Sequence, residues 1–161
     1  MNASTIAAPV IKPSLATGYD FANLEWQRVL GTPRFDYPID YSVAVLNVDA
    51  ENGVIDFLSW WEPNAYCHYH RHLGNTSIEV LAGEHNVVET TDNQTIHKKR
   101  TPGFVAHNPG GDLHMEFGGP EGALVFFRCH AVEGGKLFEV LTKSGKVLNT
   151  ATIDDFVQKR I

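Results

Sequence analysis

Cysteine is scarce in this 161-residue chain, with only Cys67 and Cys129. Two cysteines cannot build a disulfide scaffold, and no Cys-x-x-Cys pair suggests a zinc knuckle. One disulfide stays open as a possibility, and a reducing cytoplasm is the simpler expectation. Basic residues are also few: 13 Lys and Arg stand against 19 Asp and Glu, giving a net charge of −6. That balance argues against a nucleic-acid or anionic-membrane partner, because both need a basic patch. No apolar run approaches the roughly 20 residues that span a bilayer. The apolar patch from Ile6 to Ile11 is broken by Pro9 and follows no cationic segment, so no secretory signal is expected. Internal repeats are absent as well.

The length fits one domain with a sizeable core. Residues 1–20, rich in Ala, Ser, Thr and Pro, read as an arm, and 21–161 as a single domain. From Tyr41 onward the chain is β-like. Tyr41–Val48 and Val54–Trp61 are rich in β-branched and aromatic residues, and Asn52-Gly53 between them signals a hairpin. Further short strands are expected at Cys67–His72, Thr76–Leu81, Glu84–Thr90, Gly122–Val132 and Leu137–Leu141. Turn clusters separate them, including Ala82-Gly83, Asn108-Pro-Gly-Gly and Gly118-Gly-Pro. Many short strands between Gly, Pro and Asn turns predict an all-β sandwich or barrel. The helical candidate is the tail, with Asp154 as cap of Asp155–Ile161, acids first and bases last.

Histidine is abundant. Of eight, five lie between Tyr66 and His97: His68, His70, His72, His85 and His97. Alternate residues of a strand share a face, so His68, His70 and His72 are expected to point one way. Two imidazoles projecting together can share a metal ion if a distant strand supplies a third. His114, released from the Asn108-Pro-Gly-Gly turn, is the candidate. His85, His97, His107 and His130 read as surface or core residues, and both cysteines as small buried apolar ones.

The segment Gly103–His114 fits the second cupin motif, G(x)5PxG(x)2H, at every specified position. Asn64–Gly83 resembles the first motif, G(x)5HxH(x)3–4E(x)6G, with Asn64 in place of the opening glycine and His70 and His72 as the HxH pair. The resemblance implies a cupin double-stranded β-helix, a jelly-roll barrel, and a metal site on His70, His72 and His114. The family's metal-binding glutamate is read at Ser77, so a three-histidine site is implied. Such a site resembles that of the acetylacetone-cleaving dioxygenase cupins, which hold Fe(II) on three histidines. Their acidic residue before the third histidine falls at Asn108, their outer-sphere arginine near Val88 and their tyrosine at Ile78. These changes imply a substrate other than acetylacetone.

Glu79 and Glu116 are the candidate acid–base or supporting carboxylates. Glu79 shares a face with Ser77, and Asp112 and Glu116 share one with His114. The resemblance implies an Fe(II)-dependent dioxygenase that takes O2 and a small enolisable dicarbonyl or hydroxyketone; Zn(II) or Ni(II) would also suit imidazole. A non-enzymatic zinc-binding sensor or ligand carrier, and a redox-neutral lyase or isomerase, are the rival classes. Open sheet edges invite pairing between copies, so a homodimer or homotetramer is expected.

Overall fold

The structure, a computed structural model, describes residues 23–160; the expected arm over 1–20 lies outside them. Ten strands and one helix follow in chain order: β1 Gln27–Leu30, β2 Asp40–Asp49, β3 Val54–Trp61, β4 His70–His72, β5 Thr76–Thr90, β6 Thr95–Arg100, β7 Val105–Asn108, β8 His114–His130, β9 Lys136–Leu141, β10 Val147–Thr152 and α1 Ile153–Val157. They form one curled sheet in the order β1-β2-β3-β8-β4-β9-β10, with β5 beside β8 and carrying β6 and β7. This is the expected jelly-roll barrel with a short C-terminal helix.

The β2–β3 hairpin forms where Asn52-Gly53 predicts it. Gly53 takes φ +66°, and the Asp49 carboxylate accepts from the Asn52 backbone N–H at 3.0 Å. Asn64 adopts the left-handed conformation expected of it, φ 58°.

β8 is the seam of the barrel. Its C-terminal half lies between β3 and β5, pairing Phe127 with Phe57 and with Ile78. Its N-terminal half pairs with β5 and touches β4 at His70↔His114. The predicted turns at Ala82-Gly83 and Gly118-Gly-Pro are kinks within single long strands instead. The register jumps there: Gly83 pairs with Ala123, and His85 pairs with Gly118. Gly83 has φ +74°, and a Cβ on it would lie 2.2 Å from the Gly122 carbonyl oxygen, so the two bends nest backbone to backbone.

The barrel interior is filled by Ile55, Phe57, Trp61, Val80, Val125 and Phe127, among others. α1 closes one end with Phe156, whose ring lies 5.3 Å from that of Phe57. The helix cap is Thr152, two residues earlier than the expected Asp154. Thr152 and Asp155 form a reciprocal capping box. Arg160 reaches back to Asp154 and Asp155; the expected helix over 155–161 is thus shorter and earlier. Both cysteines are free and buried. No helix among the described residues is long and apolar enough to cross a membrane.

Candidate metal centre

Strand β4 is three residues long, and its alternation sends His70 and His72 inward with Arg71 between them paired to Glu139 at 2.7 Å. β8 begins at His114 and, two residues on, turns Glu116 into the same interior. The structure brings these four side chains together. Their donor atoms lie within 4.8 Å of one another, and the His70 and His114 rings are 4.3 Å apart.

The second nitrogen of each imidazole is spoken for. His70 Nδ1 lies 2.7 Å from the His68 carbonyl oxygen, and His114 Nδ1 lies 2.9 Å from that of Asp112. A carbonyl only accepts, so both Nδ1 atoms carry a proton, and it is Nε2 that each ring turns toward Glu116. His72 Nδ1 meets Thr76 Oγ1 at 3.2 Å, and that hydroxyl donates onward to the Gly74 carbonyl. Burial, then His70 and His114, hold His72 well below the usual imidazole range, so it stays neutral. Burial is outweighed at His70, which Cys67 and then Glu116 push up to about 9, and at His114, which Glu116 raises. A divalent ion would therefore displace the Nε2 proton of each, and three imidazoles oriented by acceptors on their outer nitrogens are a fitting cradle for it.

Glu116 is 4% exposed. Its Oε2 lies 3.1 Å from His70 Nε2 and 3.7 Å from His114 Nε2, while Oε1 accepts from His85 Nε2 at 2.9 Å. Burial alone would raise its pKa, but the bonds to His114, His70 and His85 outweigh this and hold the carboxyl well below the carboxylate range. The site therefore contains an anionic oxygen in addition to the three imidazoles.

Several expectations are corrected here. The missing glutamate of the first motif maps to Thr76, not Ser77. Counting three residues after His72 and six before Gly83 meets at Thr76, and the strand agrees. Thr76, Ile78 and Val80 are buried, while Ser77 turns outward and bonds His107 at 2.7 Å. Glu79 shares that outer face, is exposed, and takes no part in the site; no slip occurs between Thr76 and Val80 to bring it in. His68 does not extend the inward row, because the strand starts only at His70. Its ring instead packs on Phe35 at 4.8 Å, with its Nδ1 3.5 Å from the Tyr41 hydroxyl. Burial, and then His70, push its pKa down to about 4. Asp112 is exposed and serves through its carbonyl.

His85 went unrecognised as part of the site. It is fully buried against Trp61, ring centroids 5.2 Å apart, and orients Glu116. Its role depends on the kink that sets His85 opposite Gly118, which no local pattern announces. Of the remaining histidines, His97 is exposed and bonds Asn86 at 2.8 Å, and His130 is exposed. Burial pushes the Cys129 thiol up to about 12, so it stays protonated. Val88 pairs with His97 and Met115, and Ile78 belongs to the core.

Two cavities meet at the histidines. The larger, about 250 Å³, runs from His70, His72 and Glu116 along Phe127, Phe138 and Phe156. A small one of about 40 Å³ lies on the side of His114.

No protein-family model matches the chain, and no curated relative matches its sequence. Solved structures are similar to it. An acetylacetone dioxygenase from Acinetobacter johnsonii superposes with a TM-score of 0.62 at 14% identity, over 81% of this chain and 83% of that one. A candidate acetylacetone dioxygenase from Methylibium petroleiphilum PM1 gives 0.67 at 11% identity, over 88% and 91%. A cupin 2 conserved barrel domain protein from Rhodopseudomonas palustris gives 0.60 at 13% identity, over 76% and 81%. The architecture is that of a cupin. Within that fold, this chain is a barrel whose interior gathers His70, His72, His114 and Glu116 into a group able to hold a divalent metal.

Proposed function

We propose that the chain is an Fe(II)-dependent dioxygenase that cleaves a C–C bond in a small enolisable dicarbonyl or hydroxyketone. The observation that carries this reading is the convergence of three imidazoles and one buried carboxylate at the inner end of an apolar cavity. In it, His70, His72 and His114 are the metal ligands and Glu116 is a fourth, anionic donor. The carboxylate thus comes from β8, because Thr76 stands where the first motif would supply it. The bound ion would lower the pKa of an enolisable substrate and, as Fe(II), supply the redox step with O2. Both oxygen atoms end in the products, a carboxylic acid and a second carbonyl compound.

The protein's own groups do the rest. Phe127, Phe138 and Phe156 exclude water and accept an aryl or longer alkyl substituent, which favours a substrate bulkier than acetylacetone. His68 and Tyr41, the polar pair on the same wall, orient a substrate oxygen. His85 keeps Glu116 in one rotamer. The acetylacetone dioxygenase likeness in fold is in line with this chemistry.

The test is metal analysis of protein purified anaerobically, joined to oxygen uptake against a panel of 1,3-diketones and hydroxyketones. One ion per chain is expected. The Fe(II) form should consume O2 with at least one aryl-substituted member, and the Zn(II) form should not, since zinc has no accessible redox step. An iron form that binds these ligands yet consumes no O2 across the panel would overturn the dioxygenase reading.

A further inference from the structure

Arg100, at the end of β6, is 8% exposed, yet its side chain makes no ion pair and no hydrogen bond among the described residues. Its Nε is shielded from solvent without a partner. The guanidinium is held over the Phe104 ring, Cζ 4.9 Å from the centroid. The carboxylates that act on it through space are Glu116 and Glu89. Both are already engaged, Glu116 by His70 and His85, and Glu89 by Lys98 at 2.7 Å. A buried guanidinium left this way is costly, because its Nε–H gives up water and gains nothing in return.

The same residue lines the small cavity beside the candidate metal centre, with His72, His114, Glu116 and Asn108. A planar fork of N–H donors matches a carboxylate better than a spherical ion. The volume of about 40 Å³ sets the size of the guest. It has room for on the order of three water-sized positions, which suits formate or acetate and excludes an aryl acid.

We propose that Arg100 makes this cavity a subsite for a short monocarboxylate, of formate or acetate size. Its link to catalysis rests on the dioxygenase reading, in which the subsite receives the carboxylic acid released by C–C cleavage. Binding itself needs the guanidinium and not the metal ion.

The experiment titrates formate, acetate, benzoate and chloride into zinc-loaded and metal-free protein, following the Arg100 Nε–H resonance and the affinity. Formate and acetate should shift that resonance saturably in both forms, and benzoate and chloride should not. Arg100→Met should weaken formate binding about tenfold or more, the scale of a charge-assisted hydrogen bond. If that variant fails to fold, the wild-type resonance still decides. A resonance unmoved by formate or acetate overturns the proposal. So does binding confined to the zinc form and equal in Arg100→Met, which would make the carboxylate a metal ligand only. Saturable formate binding on Arg100 without any oxygen uptake across the ketone panel would sink the dioxygenase reading and leave the subsite standing.

Discussion

Thr76 and Ser77 adjoin on β5 and face opposite ways. Thr76 holds His72 from inside the barrel, and Ser77 holds His107 on the outside. Removing an acceptor from the outer nitrogen of a metal-bound histidine typically lowers metal affinity by about 10- to 100-fold. Thr76→Ala should therefore weaken metal binding within that range, and Ser77→Ala should leave it unchanged. Equal metal affinities for the two variants, read by competition with a chromogenic chelator, would refute this assignment of faces. Glu116 offers a second test at this scale. As a donor to the ion, Glu116→Gln should lower metal affinity at least about tenfold. Full metal retention with slowed turnover would make Glu116 a proton acceptor instead. His85→Phe keeps the ring volume against Trp61 but removes the bond to Glu116, and a similar though smaller loss of affinity is expected.

At the scale of elements, the bends of β5 and β8 decide where the site residues stand. Each strand changes partners at its bend, and the offset sets Val87 opposite Glu116 and Glu89 opposite His114. The bends fit because Gly83 and Gly122, both at positive φ, carry no side chain where their backbones touch. Gly83→Ala would place a methyl group against the Gly122 carbonyl and impose a left-handed conformation on alanine. A loss of about 2 kcal/mol or more is expected, from strain and overpacking together. Urea unfolding measures it, and a midpoint equal to wild type would mean that the bends do not need glycine. α1 gives a milder case. Thr152→Ala removes the reciprocal cap and should cost about 1 kcal/mol.

At the scale of the whole molecule, β1 forms one end of the sheet order, and Leu30, Val45 and Leu46 on β1 and β2 are exposed. Apolar side chains near an open edge favour association, and a homodimer or homotetramer is the expected state. Native mass measurement of the full chain should show two or four copies. A 17.9 kDa species alone at micromolar concentration would exclude this.

Much of the barrel and the heart of the site were legible along the chain, because both rest on short-range regularities. The β2–β3 hairpin follows from Asn-Gly, the inward pairing of His70 and His72 from the two-residue period of a strand, and His114 from the turn before it. What the sequence left open are questions of register across distant strands. Local alternation shows that Thr76 and Ser77 face opposite ways, but only packing against β8 determines which one is inside. His85 and Arg100 resemble surface residues in a polar stretch until β5 bends and brings them beside Glu116 and the small cavity. The bend itself is a contact between two backbones some 40 residues apart in sequence, Gly83 and Gly122. Only the closed sheet creates such a contact, so the choice of Glu116 over Glu79, and the places of His85 and Arg100 beside it, were decided by the tertiary structure.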